Sequence, residues 1–507
     1  MRITPKKSVP KLRKGIQTTD HFVAFAEWKQ ENDSKHLLPI PETLKKEPFT
    51  YRRAEDAARN FNAFYAVHFI KTPEDPCHDS GTCLVPIRNW AVRRDAKTQA
   101  IILRRAMACN RYLRYRIRAI DAATFEIGCR PETFATEFRY LRSDPPWSLD
   151  NTKPWFIEKG PTGCMQVTYH AGEDFLDLAD GMRAIDEAIC YLNLQRGDRI
   201  GHALALGVAP ELHYKFKENQ IWLPRQNLLD NLIWILYRCR AWGITLSAEY
   251  QMQLERTVRQ LLREIYPREL SESPNAGYYY YESWKLRGDS PGIYRGAGGP
   301  NPVRETAANI FLCDRIATGK NYWYYAINRR DWGMGKLSGA RQEENILRFL
   351  YAYHFDAEVR RKGDESVYWE ITKPYICLMH EIQDRMIERI EKFGIAIECN
   401  PSSNVLIGTF HRYEFHPIFR FNHYGLRFLE SEPHMPQLKV SVNTDDQGVF
   451  DTSLEFEYAL LMSSLQRRTD DVGRRLFSDD EILAYLNHLR DMGNEQAFRP
   501  KLPARMR

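Results

Sequence analysis

Short apolar runs that end in a polar cluster, each tied to a helix-like stretch, constrain this chain more than any other feature. CMQVTYHAGE (164–173) leads into LADGMRAIDEAICYL, an amphipathic helix pattern, and DRIGHALALG (198–207) follows. Upstream, FYAVHFIK (64–71) precedes the helix-like KTQAIILRRAMACNRYLRY (97–115), and IRAIDAATFE (117–126) is a further apolar run. GIAIECNPSSN (394–404) and QLKVSVNTDDQGVF (437–450) resume the rhythm near the C-terminus. Strand, helix and strand with short links predict parallel α/β units. The polar residues fall at strand C-terminal ends, the edge on which parallel sheets and barrels carry chemistry.

The rhythm breaks between His202 and Glu398. Residues 208–391 are rich in Tyr, Trp and Arg and read as a large, mainly helical insertion, with YYYYESWKLRGDSPGIYRGAGGPNP (278–302) as a loop within it. A β-α-β step needs only roughly 30 residues. The chain thus divides into an N-terminal helical segment (1–60), a first α/β part (61–207), the insertion (208–391), and a second α/β part with C-terminal helices (392–507). The last opens its tail, SDDEILAYLNHLRDMGNEQAF, on a Ser-Asp cap. RGAGG (295–299) follows no strand and GMGKLSG (333–339) lacks the GxxxxGK[ST] spacing, so both read as loops and not as phosphate cradles. The tetra-tyrosine run reads as packed surface sooner than as a stacking platform for bases.

Composition narrows the class. With 43% hydrophobic and 27% charged residues, this is a folded chain and not a disordered one. No stretch approaches the roughly 18 uninterrupted apolar residues of a membrane span. The basic start, MRITPKKSVPKLRKG, is followed by no apolar signal core, so the expectation is a cytoplasmic protein with no membrane partner. Ten cysteines without a CxxC pair read as thiols in a reducing compartment, and they argue against a zinc finger or a PCxxC deaminase site. A net charge of +6 over 507 residues reads as a mixed, solvated surface and leaves nucleic-acid binding open.

Four strand ends carry groups that could converge: His170 with Glu173, His202, Glu398 with the PSSN turn, and Asp445 with Asp446. Singly, each has an ordinary structural role, as a core histidine, a turn or a helix cap. Together they suit metal-assisted hydrolysis. A neutral imidazole and a carboxylate can hold Zn²⁺ and bring the pKa of a bound water to about 7. A carboxyl in a dry pocket can be kept protonated as an acid.

The set IRAIDAA, HAGE, DRIGHALALG, ECNPSSNVLIG, FHPIFRFNHYGLRF, SVNTDDQGVF and TSLEFEYALL, in this order, resembles the adenosine and AMP deaminase group of the amidohydrolase superfamily. These are zinc enzymes on a (β/α)8 TIM-type barrel. The resemblance covers roughly 115–207 and 392–500. It implies that FYAVHFIK is strand three of such a barrel and NTDD ends strand eight, that the first two strands are lacking in this chain, and that the insertion lies between strands six and seven. It also implies Zn²⁺ as cofactor, His170 and Asp445 as metal ligands, Glu173 as the proton shuttle to purine N1, His202 as the residue that orients the attacking hydroxide, and Asp446 as the partner of purine N7. The implied substrate is adenosine or an adenine nucleotide.

Three departures accompany it. The family's H-x-H pair is missing, since no two of the 14 histidines have that spacing. The expectation is therefore the C-terminal portion of a longer enzyme, or one half of a split one; His21 and His68 stand in no matching context. Thr124 takes the place of a glycine that lets backbone approach purine N3, and Gln447 that of a proline. The enlarged loop resembles the large antiviral adenosine deaminases of RADAR-type systems, which implies a homo-oligomer and an ATPase partner. Two other readings remain: a catalytically incomplete scaffold or assembly subunit, and an RNA-acting deaminase.

Overall fold

The computed structural model describes residues 2–4, 10–12, 14–16, 64–74, 87–109, 113, 116–142, 165–298, 325–328, 330, 334–335, 337–426 and 436–498. Its centre is a parallel sheet. The strands are β1 (Arg2–Ile3), β2 (Tyr65–Lys71), β3 (Ile117–Thr124), β4 (Gln166–Ala171), β5 (Arg199–His202), β8 (Ala396–Cys399) and β9 (Val440–Val442), hydrogen-bonded in that order. Every neighbouring pair is parallel. The six strands expected from the sequence are all present. The seventh, β1, was not expected: it is a two-residue edge strand in the segment read as helical, most of which lies outside the described residues. Among the described residues no pairing joins β9 back to β1.

The strands are short, apolar and buried because helices cover the sheet. Of β4 only Gln166 is not fully buried, and all of β8 is; such continuous burial is the mark of a parallel sheet covered on both faces. Helices α1 (Trp90–Cys109), α2 (Ala135–Arg142) and α3 (Leu178–Tyr191) connect β2 through β5. Phe69 on β2 packs against Phe134 and Phe138, with ring centroids 6.4 and 5.9 Å apart.

Between β5 and β8 the chain builds α4 (Pro210–Phe216), β6 (Gln220–Pro224), α5 (Arg225–Trp242), α6 (Ala248–Ile265), α7 (Ala276–Leu286), α8 (Glu344–Phe355), β7 (Ser366–Glu370) and α9 (Lys373–Phe393). It is mainly helical, as expected, with one unforeseen feature. β6 and β7 pair antiparallel, from Gln220 opposite Glu370 to Pro224 opposite Ser366, so the enlargement closes on itself with its own two-stranded ribbon. The tyrosine run belongs to α7 and not to a loop, a correction that follows from packing. Tyr280 is fully buried with its hydroxyl on Asp230, and Tyr281 stacks on Tyr237 at 3.8 Å.

The enlargement covers α3 completely. All of Leu178–Tyr191 is buried, including Asp180, Arg183, Asp186 and Glu187. Each charge has partners: Arg183 reaches Asp180, Glu187 and Asn231, and Asp186 accepts from the Trp234 indole and Arg238. After β8 come α10 (Pro401–Ile407), α11 (Leu454–Gln466) and α12 (Asp479–Glu495). The expected Ser-Asp start of α12 is a capping box in which Ser478 and Glu481 exchange hydrogen bonds. No helix among the described residues is long and apolar enough to cross a membrane.

Candidate metal centre

The C-terminal ends of β4, β5 and β8 and the loop after β9 lie on one edge because the strands are parallel and in register. His170 stands opposite Gly201, and Ala171 opposite His202. Glycine at 201 leaves room for the His170 ring, which a Cβ there would meet tightly at 3.1 Å. His170, His202 and Asp445 each present a ligand atom, and these atoms lie within 4.8 Å of one another. The two imidazole centroids are 5.0 Å apart. Three such groups in one spot can share a metal ion.

The surroundings fit one. His170 Nδ1 faces Asp121 Oδ1 at 3.0 Å, both side chains being buried. A carboxylate on Nδ1–H fixes the tautomer that leaves the Nε2 lone pair for a ligand, the usual support of a metal-binding histidine. His68, on β2 opposite Asp121, lies 3.9 Å from that carboxylate and 6.2 Å from His170 between ring centroids. It belongs to the surroundings and not to the group of three.

Glu173 joins the same cluster, with Oε1 3.2 Å from His202 Nδ1. Burial pushes its carboxyl well above the ordinary range, and the neighbouring acids Glu126, Asp174 and Asp445 add to the shift, with Lys71 opposing. The turn that carries it is held from below. Glu126 accepts the Gly172 amide at 2.7 Å and the Glu173 amide at 3.4 Å, and Lys71 Nζ donates to the His170 carbonyl at 2.5 Å. Gly172 adopts φ +77, and a Cβ there would meet Ile185 at 2.7 Å, so the HAGE turn admits no side chain.

Asp445 receives the Ser403 hydroxyl at 2.9 Å and lies 3.8 Å from His202 Nε2. Asp446 is exposed and begins a short helix, Gln447–Phe450, beside the cluster. Glu398 does not join the group of three. It turns along the sheet to Thr168 at 2.9 Å and Arg199 at 3.7 Å.

Sequence reasoning missed Asp121, Glu126 and Lys71, and it treated Asn400 and Asn404 only as turn residues. One signal was available: an aspartate inside the otherwise apolar run IRAIDAAT has to be paired to be buried there.

Thr124, His202, Ala203 and Asp445 all have left-handed backbone conformations, with φ of 87, 62, 50 and 55°. Strain of this kind gathers where surrounding structure over-determines it. Thr124 is the extreme case, because β-branching disfavours that region. Thr124→Gly is expected to stabilise the fold by about 1 kcal/mol in urea denaturation, the strain relieved exceeding the entropy cost of glycine. A loss of stability would show that the threonine side chain contributes more than its backbone costs.

No family model matches the chain, and no curated protein matches it significantly.

Proposed function

We propose that this protein is a zinc-dependent hydrolytic deaminase of adenosine or adenine nucleotides, built on a (β/α)8-type barrel of which the parallel sheet described above is the greater part. The observation that carries the reading is the gathering of His170, His202, Glu173 and Asp445 from separate strand ends around one point.

His170 and Asp445 would hold the ion, and Asp121 would fix the His170 ring. When bound, zinc supplies a Lewis acid that brings a water molecule to hydroxide near neutral pH. Burial and the neighbouring acids raise the Glu173 carboxyl well above its ordinary range, which favours the protonated form that would donate to purine N1 and make C6 electrophilic. His202 would orient the incoming water oxygen, and Asp446, exposed at the rim, would hydrogen-bond N7. A catalytic zinc takes three protein ligands, so a further ligand would complete the pair this chain supplies. A homo-oligomer working beside an ATPase partner is part of the same proposal, through the enlarged loop.

The test is metal content together with product formation. The protein, as this chain or reconstituted with the segment that supplies the further ligand, is expected to hold about one zinc and to convert adenosine or ATP to the inosine form. His170→Gln and Asp445→Asn are each expected to drop zinc below about a tenth per chain. A folded protein that binds no zinc and makes no inosine would favour the second reading, a deaminase-like scaffold or assembly subunit, which draws on the absence of an H-x-H pair among the histidines.

A further inference from the structure

His202 has two ring nitrogens within reach of polar groups, and which of them bears the proton decides what it can do. The geometry points to Asn404 as the positioning residue that holds His202 in its Nε2–H tautomer, making His202 a hydrogen-bond donor on the Asp445 side of the cluster and not a metal ligand. The tautomer assignment is independent of the metal-centre reading; only its consequence for the ion rests on that reading.

The chain of donors begins at backbone amides, whose direction is not in question. The Ile418 N–H donates to His416 Nδ1 at 3.0 Å. The buried His416 is kept neutral by desolvation, its pKa lowered to about 3. Its proton is therefore on Nε2, which lies 3.2 Å from Asn404 Oδ1. The Asn400 backbone N–H donates to the same oxygen at 3.1 Å. Two donors, one of them backbone, thus determine which end of the Asn404 amide is oxygen, an assignment that otherwise rests on the network. Its NH₂ end then faces His202 Nδ1 at 2.7 Å.

A proton on Nδ1 would set two donors against each other at that distance. Glu173 Oε1 lies 3.2 Å from the same nitrogen, but the Asn404 donor is closer and its direction is fixed by a backbone amide; Nδ1 accepts from Asn404, and a neutral His202 carries its hydrogen on Nε2. The same logic corrects Asn400. Its Nδ2 stands 3.2 Å from His202 Nε2, donor against donor, while its buried Oδ1 has no hydrogen-bond partner. Turning this one amide end for end puts its oxygen within reach of Nε2–H and its NH₂ where the oxygen was unpaired. A ring with Nε2–H has no lone pair there for an ion, and its Nδ1 is covered by Asn404 and Glu173. Asp445 Oδ2 lies 3.8 Å from the same Nε2, farther than the Asn400 amide.

The experiment is ¹⁵N NMR on the metal-free full chain labelled at histidine, with the His202 signals identified by their loss in His202→Gln. The wild-type spectrum is expected to show Nε2 in the protonated range and Nδ1 in the unprotonated range. Asn404→Asp, which replaces the donor by an acceptor, is expected to move the proton onto Nδ1. A wild-type His202 that is already Nδ1–H overturns the assignment, and this spectrum decides even where Asn404→Asp fails to fold. Zinc affinity, measured by competition with a chromophoric chelator, gives the second readout. His202→Gln is expected to stay within about threefold of wild type, whereas His170→Gln is expected to lose at least the roughly 10- to 100-fold that losing even an outer-shell partner costs. Equal losses in both would make His202 a ligand and sink the donor role. Failure of every protein to bind zinc would refute the proposed function and leave the tautomer result standing.

Discussion

Glu173→Gln is expected to lower the rate of adenosine deamination by about 10²- to 10⁴-fold, the usual contribution of a positioned general acid, with the fold intact. Glutamine keeps the shape of the side chain and can accept or donate a hydrogen bond, but it cannot release a proton to a ring nitrogen. The same substitution carries a stability signature that is independent of substrate. The folded carboxyl titrates well above its ordinary value of 4.5 because it is buried among Glu126, Asp174 and Asp445. The folded state therefore holds a proton that the unfolded chain gives up at lower pH. Wild-type stability falls as pH rises from about 4 toward the folded pKa, whereas glutamine has no such dependence. At pH 7 to 8 the variant is expected to melt above wild type, and the difference is expected to vanish below about pH 4. An unchanged turnover would remove Glu173 from the chemistry. A variant that melts below wild type at pH 8 would show that the carboxyl is not held protonated.

Asp230→Ala is expected to destabilise the protein by about 3–5 kcal/mol, the cost of leaving a buried charge without its partner. Asp230, on α5, takes both guanidinium nitrogens of Arg287 at 2.7 and 3.0 Å and the Tyr280 hydroxyl at 2.5 Å, and it lies 3.6 Å from Arg183 on α3. Arg287 is only 1% exposed, so water cannot replace the lost carboxylate. Burial alone would raise the Asp230 carboxyl, but Arg287 and Arg183 hold it below its ordinary value. Its contribution is thus present at neutral pH and is lost as pH falls through that lowered pKa. Urea denaturation of the single variant and of Asp230→Ala with Arg287→Met provides the measure. The double variant is expected to recover much of the loss, because it removes the orphaned charge. A single-variant loss under about 1 kcal/mol would mean that water or another acid reaches Arg287.

These two residues show how unevenly the molecule was legible. Glu173 could be read in advance because HAGE ends an apolar run, and in a parallel sheet the strand ends share one edge. The period-two and period-3.6 patterns also located β2 through β5, β8, β9 and α3, since alternation and burial follow directly from side-chain direction. Asp230 could not be read in that way. The charged face of an amphipathic helix such as α3 normally meets water, yet here an enlargement distant in sequence packs over it and, with Arg130, supplies partners for its charges. The two-residue β1 carries too short a pattern to be seen, and the β6–β7 pair depends on a contact between residues about 150 apart.

By itself, the sequence determined the order of strands and helices, the parallel edge and the acidic and imidazole groups placed on it, because these follow from local periodicity and from what a strand end must be. Only the tertiary structure decided that His170, His202 and Asp445 meet within reach of one ion, that Asp121 and Asn404 orient the two rings, and that the charges of α3 are buried. Distance, desolvation and the direction of a hydrogen bond are properties of side chains brought together from far apart in the chain, and no local pattern encodes them.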